Sequence, residues 1–200
     1  MLQAEAEARG KEAAIGQGDG LQLSVGAHPI GDIVGALACD RNRCGPRIVE
    51  AAAWHDIRKG DPNHGVAGAK EAKKILERTD FPAEKIPVVV DAIAQHVGLY
   101  RPPEATPLEP LEAAVLWDAD KLSKLGAQAL AASMGMDTMV GLNLDQRRRT
   151  ILEFTQGVLA RTVESMNTLP ARELAETRYR EMAIFLEAWE REEELERRDS

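Results

Sequence analysis

The stretch Ala51-Ala-Ala-Trp-His-Asp-Ile-Arg-Lys59 joins an apolar run to a histidine and an aspartate. His55 shares one face of a 3.6-residue period with the apolar residues before it, so a helix over residues 47–58 would point His55 toward the core. Asp56 lies near the end of this predicted helix, because a Gly-Asp-Pro sequence follows at residues 60–62. Imidazole and carboxylate groups are costly in a core unless something binds them. A hydrogen-bonded core histidine and a divalent metal ion with nitrogen and oxygen ligands are the two explanations.

The composition predicts a single all-α domain. The chain has 200 residues, of which 44% are hydrophobic and 29% are charged, which is ordinary for a globular protein with a sizeable core. Alanine, leucine and glutamate predominate and runs of β-branched residues are few, which favours helices. We predict an N-terminal extension over residues 1–26, a helical domain over 27–195 and a tail over 196–200.

The charge and the absence of long apolar segments limit the partners and the location. The formal net charge is −8 and basic residues are not interleaved with aromatic ones, which argues against duplex nucleic acid as a partner. No segment is apolar enough to cross a bilayer, and the acidic N-terminal segment does not resemble a signal peptide, so we expect a cytoplasmic protein without a membrane partner. Cys39 and Cys44 alone are a weak zinc motif and need no disulfide.

Hydrophobic periodicity predicts five further helices after the central one. They span residues 64–78, 81–96, 111–134 with a bend at Gly126, 144–166 and 170–195. A charge run over residues 190–200 is expected to be solvated.

Three further histidines lie at predicted helix ends or on apolar faces. His28 precedes a proline at the head of an apolar segment, where a capping or surface role is the simpler alternative. His64 falls on the first turn of the second helix. His96 shares a buried stripe with Val89 and Ile93, so it is either a satisfied core residue or a ligand. Lys59 is either a solvated charge or a clamp on an anion.

Two aspartates lie inside an apolar helix, in Leu116-Trp-Asp-Ala-Asp-Lys-Leu122. Buried carboxylates are costly unless they are paired or bind a cation. Asp118 and Asp120 are about 200° apart around a helix and cannot face the same point. Both faces are apolar, so periodicity alone does not choose between them.

The order His…His-Asp…His…His…Asp resembles the HD superfamily of metal-dependent phosphohydrolases, in its small single-domain bacterial type. Several strings carry the resemblance, which covers residues 28–189. The segment at 51–59 is similar to an apolar-His-Asp-Ile-Gly-Lys motif, with Arg58 in place of the glycine. The helix from His64 is similar to a His-x3-Gly-Ala helix, the run ending at His96 to an Ile-x2-His helix end, and residues 119–122 to an Ala-Asp-[Arg/Lys]-Leu motif.

The resemblance implies an HD-type helical bundle and a set of metal ligands. His28, His55, Asp56 and Asp120 correspond to the four-ligand set, and His64 and His96 correspond to additional ligands or to residues lining the substrate pocket. Asp118 is then a second-sphere or capping group. The implied cofactor is one or two divalent ions, with Mn, Mg, Fe, Co, Ni and Zn not distinguished.

The implied function is hydrolysis of a phosphate ester or anhydride in a nucleotide or nucleotide-like small molecule. A bound divalent ion acidifies a water and polarises a phosphoryl oxygen. Asp56 would bind the ion and orient the water, and Lys59 would neutralise charge on the phosphate, assisted by His64 or His96. The alternatives are a di-iron oxygenase on the same fold and a catalytically silent HD-fold binding module. The expected partner is a phosphorylated substrate, and a homodimer is compatible with the sequence.

Overall fold

The computed structural model describes Ile33 and residues 54–198. The described elements are helical and no β-strand occurs among them, which confirms the predicted all-α class. The helices are α1 (His64–Leu76), α2 (Ile86–Gln95), α3 (Leu111–Leu122), α4 (Ala127–Met134), α5 (Leu144–Phe154), α6 (Ala160–Glu164) and α7 (Leu169–Arg198). Short 3₁₀ turns cover Ala83–Lys85 and Asp137–Met139, and a π-helical segment over Thr155–Leu159 joins α5 to α6.

Helix α3 is the centre of the described fold. Every residue from Ala113 to Leu122 is buried, including Trp117, which has no exposed surface. Helix α2 packs between α1 and α3, and the long helix α7 contacts α3, α4, α5 and α6. A helix that is covered on all sides has no polar face, so its charged residues must find partners inside the protein.

The structure corrects the predicted helix over residues 47–58 where it describes that segment. Residues 54–60 form successive turns, in which Ile57 N donates to Trp54 O at 3.1 Å and Lys59 N donates to Asp56 O at 3.0 Å. These bonds span three residues instead of the four of an α-helix. Pro62 disfavours the helical conformation at Asp61, the residue directly before it, so a helix cannot continue past this segment.

The predicted single helix over residues 111–134 is also corrected, because it is two helices. Helix α3 ends at Leu122 and α4 begins at Ala127, directly after Gly126. Gly126 has a φ of 94°, in the left-handed region that glycine tolerates and that no right-handed helix passes through. The residue predicted to bend the helix therefore separates two helices.

The C-terminal charge run is part of a helix. Helix α7 continues to Arg198, beyond the predicted end at residue 195. Not all of these charges are solvated, since the buried Arg148 of α5 donates to Glu193 at 2.9 Å and to Glu190 at 3.3 Å. The run therefore ties α7 to α5.

Candidate metal centre

The turn over residues 54–60 brings the adjacent side chains of His55 and Asp56 to one point. His55 Nε2 lies 3.5 Å from Asp56 Oδ2, and the His55 residue is buried. On a continuous helix, neighbouring side chains diverge by about 100°. The turn removes that divergence, so the two groups can act on one ligand.

The third group is His96, which caps the C-terminal end of α2. Its Nδ1 lies 2.6 Å from Ile93 O, and since a carbonyl can only accept, Nδ1 donates in this contact and the ring orientation is fixed. Nε2 faces Asp56 Oδ1 at 3.7 Å, beyond hydrogen-bond length. Among the described residues this buried nitrogen has no hydrogen-bond partner, although His96 is only 1% exposed.

These three residues could hold a metal ion. One ligand atom each from His55, Asp56 and His96 lies within 4.8 Å of the other two. The Asp56 carboxylate stands between the two imidazoles, whose ring centroids are 5.0 Å apart. Two imidazole nitrogens and a carboxylate suit a divalent ion of the transition series. Nε2 of His96, which is buried and faces Asp56, fits the same ligand.

Asp120 extends the cluster from α3. Its Oδ1 lies 3.8 Å from His55 Nε2. Two lysines hold the carboxylate: Lys121 donates to Oδ2, and Lys124 Nζ donates to Oδ1 at 2.7 Å. The carboxylate that faces His55 is therefore held by Lys121 of α3 and by Lys124, which follows the end of α3.

Both carboxylates of the cluster are ionised at neutral pH. Burial alone would raise the pKa of Asp56, but His96, His55 and Lys59 outweigh it and hold that pKa well below its usual range. Burial also opposes ionisation of Asp120, and there Lys124 and Lys121 with His55 lower the pKa well below normal. Two anionic carboxylates beside two imidazole rings form a donor set for a cation.

His64 and Lys59 lie at the edge of this cluster. The His64 ring is 5.1 Å from the His96 ring, and burial and the neighbouring His96 lower the pKa of His64, so it is predominantly neutral at pH 7. Lys59 Nζ donates to Asp56 Oδ2 at 2.6 Å, with 59% of its side chain exposed. In this structure Lys59 neutralises Asp56 from the solvent side.

Asp118 has a different environment from Asp120. Its Oδ1 accepts from the backbone and side-chain nitrogens of Asn167, and its Oδ2 accepts from the backbone nitrogen and hydroxyl of Thr168, all at 2.8 Å. Burial raises the pKa of Asp118, and these four hydrogen bonds oppose the shift. Asp118 thus anchors the residues that precede α7 and is not part of the cluster.

Of the six predicted ligands, the structure brings His55, Asp56, His96 and Asp120 together and places His64 beside His96. His28 lies outside the described residues, so its role stays a prediction, as does metal ligation by the other five. The third member of the compact group is His96 and not Asp120. The resemblance instead assigns Asp120 to the four-ligand set and His96 to the additional ligands.

Sequence reasoning missed the two lysines on Asp120. Lys124 follows Asp120 by four residues, a spacing that brings side chains together on a helix and could have revealed the pair. Lys121 is almost completely buried, and a lysine inside an otherwise apolar helix was the available signal for a buried partner.

The comparisons with known proteins support the fold. The chain is similar to a crystal structure of an HD-superfamily hydrolase from Bacillus thuringiensis, with 23% identity over 83% of both chains and a TM-score of 0.63. It is also similar to YpgQ of Bacillus subtilis, determined in complex with ADP, with 22% identity over 83% of this chain and 86% of that one and a TM-score of 0.62.

A predicted HD-superfamily hydrolase from an uncultured Thermotogales bacterium is similar at 22% identity over 83% of this chain and 78% of that one, with a TM-score of 0.56. No family model and no curated protein matches the sequence. The chain therefore has the fold of HD-superfamily hydrolases.

Within the described part of the chain, no helix combines the length and the apolar character needed to span a membrane.

Proposed function

We propose that this protein is a metal-dependent phosphohydrolase acting on a phosphate ester or anhydride of a nucleotide-like small molecule. The observation that carries the proposal is the group of His55, Asp56 and His96, whose ligand atoms lie within 4.8 Å of one another. The same fold occurs in proteins described as HD-superfamily hydrolases, which supports hydrolysis. The structural neighbour YpgQ was determined with ADP, which supports a nucleotide-like substrate.

A divalent ion at this site would acidify a water and polarise a phosphoryl oxygen. The residues of the chain supply the remaining requirements. Asp56 is anionic and lies between the two imidazoles, so its carboxylate can accept a hydrogen from the attacking water and orient it. His55 and His96 offer nitrogen ligands from a fixed turn and a fixed helix end.

Side chains on the solvent-facing side of the cluster can stabilise negative charge on the substrate. Lys59 is more than half exposed and reaches Asp56, so a small movement would bring its ammonium to a phosphate at the same point. His64 lies against His96 at the start of α1, where it can donate one hydrogen bond as a neutral imidazole. Preorganised donors of this kind stabilise the charge that develops during phosphoryl transfer.

The test is a hydrolysis assay on the metal-loaded protein and its Asp56→Asn variant. Elemental analysis of the purified protein identifies the metal, and phosphate release is then measured with nucleotides and simple phosphate esters. Asp56→Asn removes the charge between the two imidazoles and should reduce metal-dependent hydrolysis to background while circular dichroism shows an unchanged helical content.

The matched control is Asp61→Asn, on the same loop. Asp61 pairs with Arg58 at 2.8 Å at the surface, so this variant removes an identical charge outside the cluster and should retain activity. Full activity in Asp56→Asn, or no phosphate release from any substrate by the metal-loaded wild type, would refute the proposal. Oxygen consumption by an iron-loaded sample would favour the oxygenase alternative.

A further inference from the structure

The side chain of Lys121 connects two of the elements that form the cluster. Lys121 is on α3, with 3% of its side chain exposed. Its ammonium donates to Asp120 Oδ2 and, at 2.8 Å, to the backbone carbonyl of His96 at the end of α2. The ring of Trp117 lies below the same ammonium, with its centroid 5.3 Å away. The buried ammonium therefore has one partner at the end of α2 and two on α3.

The two oxygens of Asp120 have different surroundings. The buried Lys121 binds Oδ2, whereas Oδ1 accepts from the partly exposed Lys124 and faces His55 Nε2 at 3.8 Å. A carboxylate held by one oxygen keeps the direction of the other, because rotation about the side-chain bonds would break the first contact. The buried lysine thus fixes Oδ1 toward the cluster.

The second contact of Lys121 acts on His96. The carbonyl of His96 is at the end of α2, where no further helical turn supplies a donor. Lys121 provides that donor and so restrains the backbone of the residue whose Nε2 faces Asp56. One ammonium therefore sets the position of a carboxylate from α3 and of an imidazole from α2.

We propose that Lys121 is a positioning residue that holds Asp120 and His96 in a metal-binding arrangement. The inference rests on the proposed function, since it assigns a role in the same metal site. A positioning role explains why a lysine is present at this buried site, although burial disfavours its charged form. Groups that orient ligands from outside the coordination sphere typically contribute about 10–100-fold to metal affinity.

Lys124 provides the matched comparison. It also pairs with Asp120, but it binds Oδ1, the oxygen that faces His55, and 32% of its side chain is exposed. Lys124 therefore competes with a cation for that oxygen, whereas Lys121 leaves it available. If charge were the only effect, removing either lysine would remove repulsion from a bound cation and tighten binding. A positioning role predicts that the Lys121 substitution weakens binding and that the Lys124 substitution does not.

The experiment measures the affinity for Mn²⁺ and the visible spectrum of the Co²⁺-loaded protein. Lys121→Met should weaken Mn²⁺ binding by about 10–100-fold and change the Co²⁺ bands, which report the arrangement of the ligands. Lys124→Met should leave affinity unchanged or tighter. Lys121→Arg, which retains a charged donor, should recover part of the loss. A purely structural lysine would lower thermal stability without changing the Co²⁺ spectrum.

The outcomes separate this inference from the proposed function. If Lys121→Met does not fold, the measurement is made on Lys121→Gln, which lacks the charge but retains a polar donor. Wild-type affinity and an unchanged Co²⁺ spectrum in the folded variant would overturn the positioning role alone. Equal losses in the Lys121 and Lys124 variants would also overturn it. Absence of divalent-metal binding by the wild type would instead refute the metal site itself.

Discussion

Asp118 and Asp120 are two residues apart on the same buried helix, yet their carboxylates meet opposite kinds of partner. Asp118 accepts four hydrogen bonds from neutral donors on Asn167 and Thr168. Asp120 is held by two ammonium groups and presents one oxygen to His55. The spacing of about 200° sends one carboxylate toward the segment before α7 and the other toward the turn that carries His55 and Asp56.

The difference shows how a fold separates a structural carboxylate from one suited to a cation. The hydrogen-bonding capacity of Asp118 is used in full, since each oxygen accepts two bonds. Oδ1 of Asp120 faces the imidazole nitrogen of His55, and Lys124, which shares this oxygen, has 32% of its side chain exposed. Burial is nearly the same for the two residues, so burial alone does not distinguish their surroundings.

The largest effect is expected from Asp120→Asn. The amide retains the shape of the carboxylate but removes the charge and leaves Lys121 without its anionic partner. We expect Mn²⁺ affinity to fall by at least about 100-fold, beyond the range for groups that only orient ligands. Isothermal titration calorimetry on the folded variant measures the loss. A variant with nearly wild-type affinity would place Asp120 with Asp118 as a structural group and would remove the contrast between them.

The converse substitution, Asp118→Asn, should reduce stability and spare the metal. The new amide nitrogen is a donor and would face two donors of Asn167 or of Thr168. At least one buried N–H would then have no acceptor. Loss of hydrogen bonds to a charged group predicts a reduction of about 3 kcal/mol in the free energy of unfolding. Urea denaturation without metal measures this value, and titration of the folded variant should give wild-type Mn²⁺ affinity. A large loss of affinity with unchanged stability would reverse the roles assigned to the two aspartates.

The sequence predicted the class of the fold and the residues of the cluster better than it predicted local geometry. Periodicity identified the buried stripe of His96, because α2 has one apolar face. It could not choose between Asp118 and Asp120, because all ten residues from Ala113 to Leu122 are buried and the helix has no polar face to orient it. That choice came from the resemblance of residues 119–122 to a known motif.

Contacts that are distant in sequence account for what could not be predicted. The partners of Asp118 lie 49 and 50 residues later, and the carbonyl that Lys121 binds lies 25 residues earlier. No local pattern encodes such pairs. The turn over residues 54–60 was also missed, since an apolar run with helical spacing precedes it.

A smaller effect is expected from Gly68→Ala, which tests how strongly activity depends on the position of the His55 turn relative to α1. A Cβ at Gly68 would lie 3.2 Å from the carbonyl oxygen of His55, so α1 or the turn must shift by a few tenths of an ångström. Because a displacement of 1 Å can reduce a rate by about 100-fold, we expect kcat to fall by about tenfold or less. Gly157→Ala is the control, since its Cβ would meet nothing within 4 Å. Both substitutions replace a glycine with alanine, which favours helical conformations to the same extent. Equal kcat values in the two variants would therefore show that the His55 turn accommodates the shift. In that case only the α3 side of the cluster requires fixed geometry.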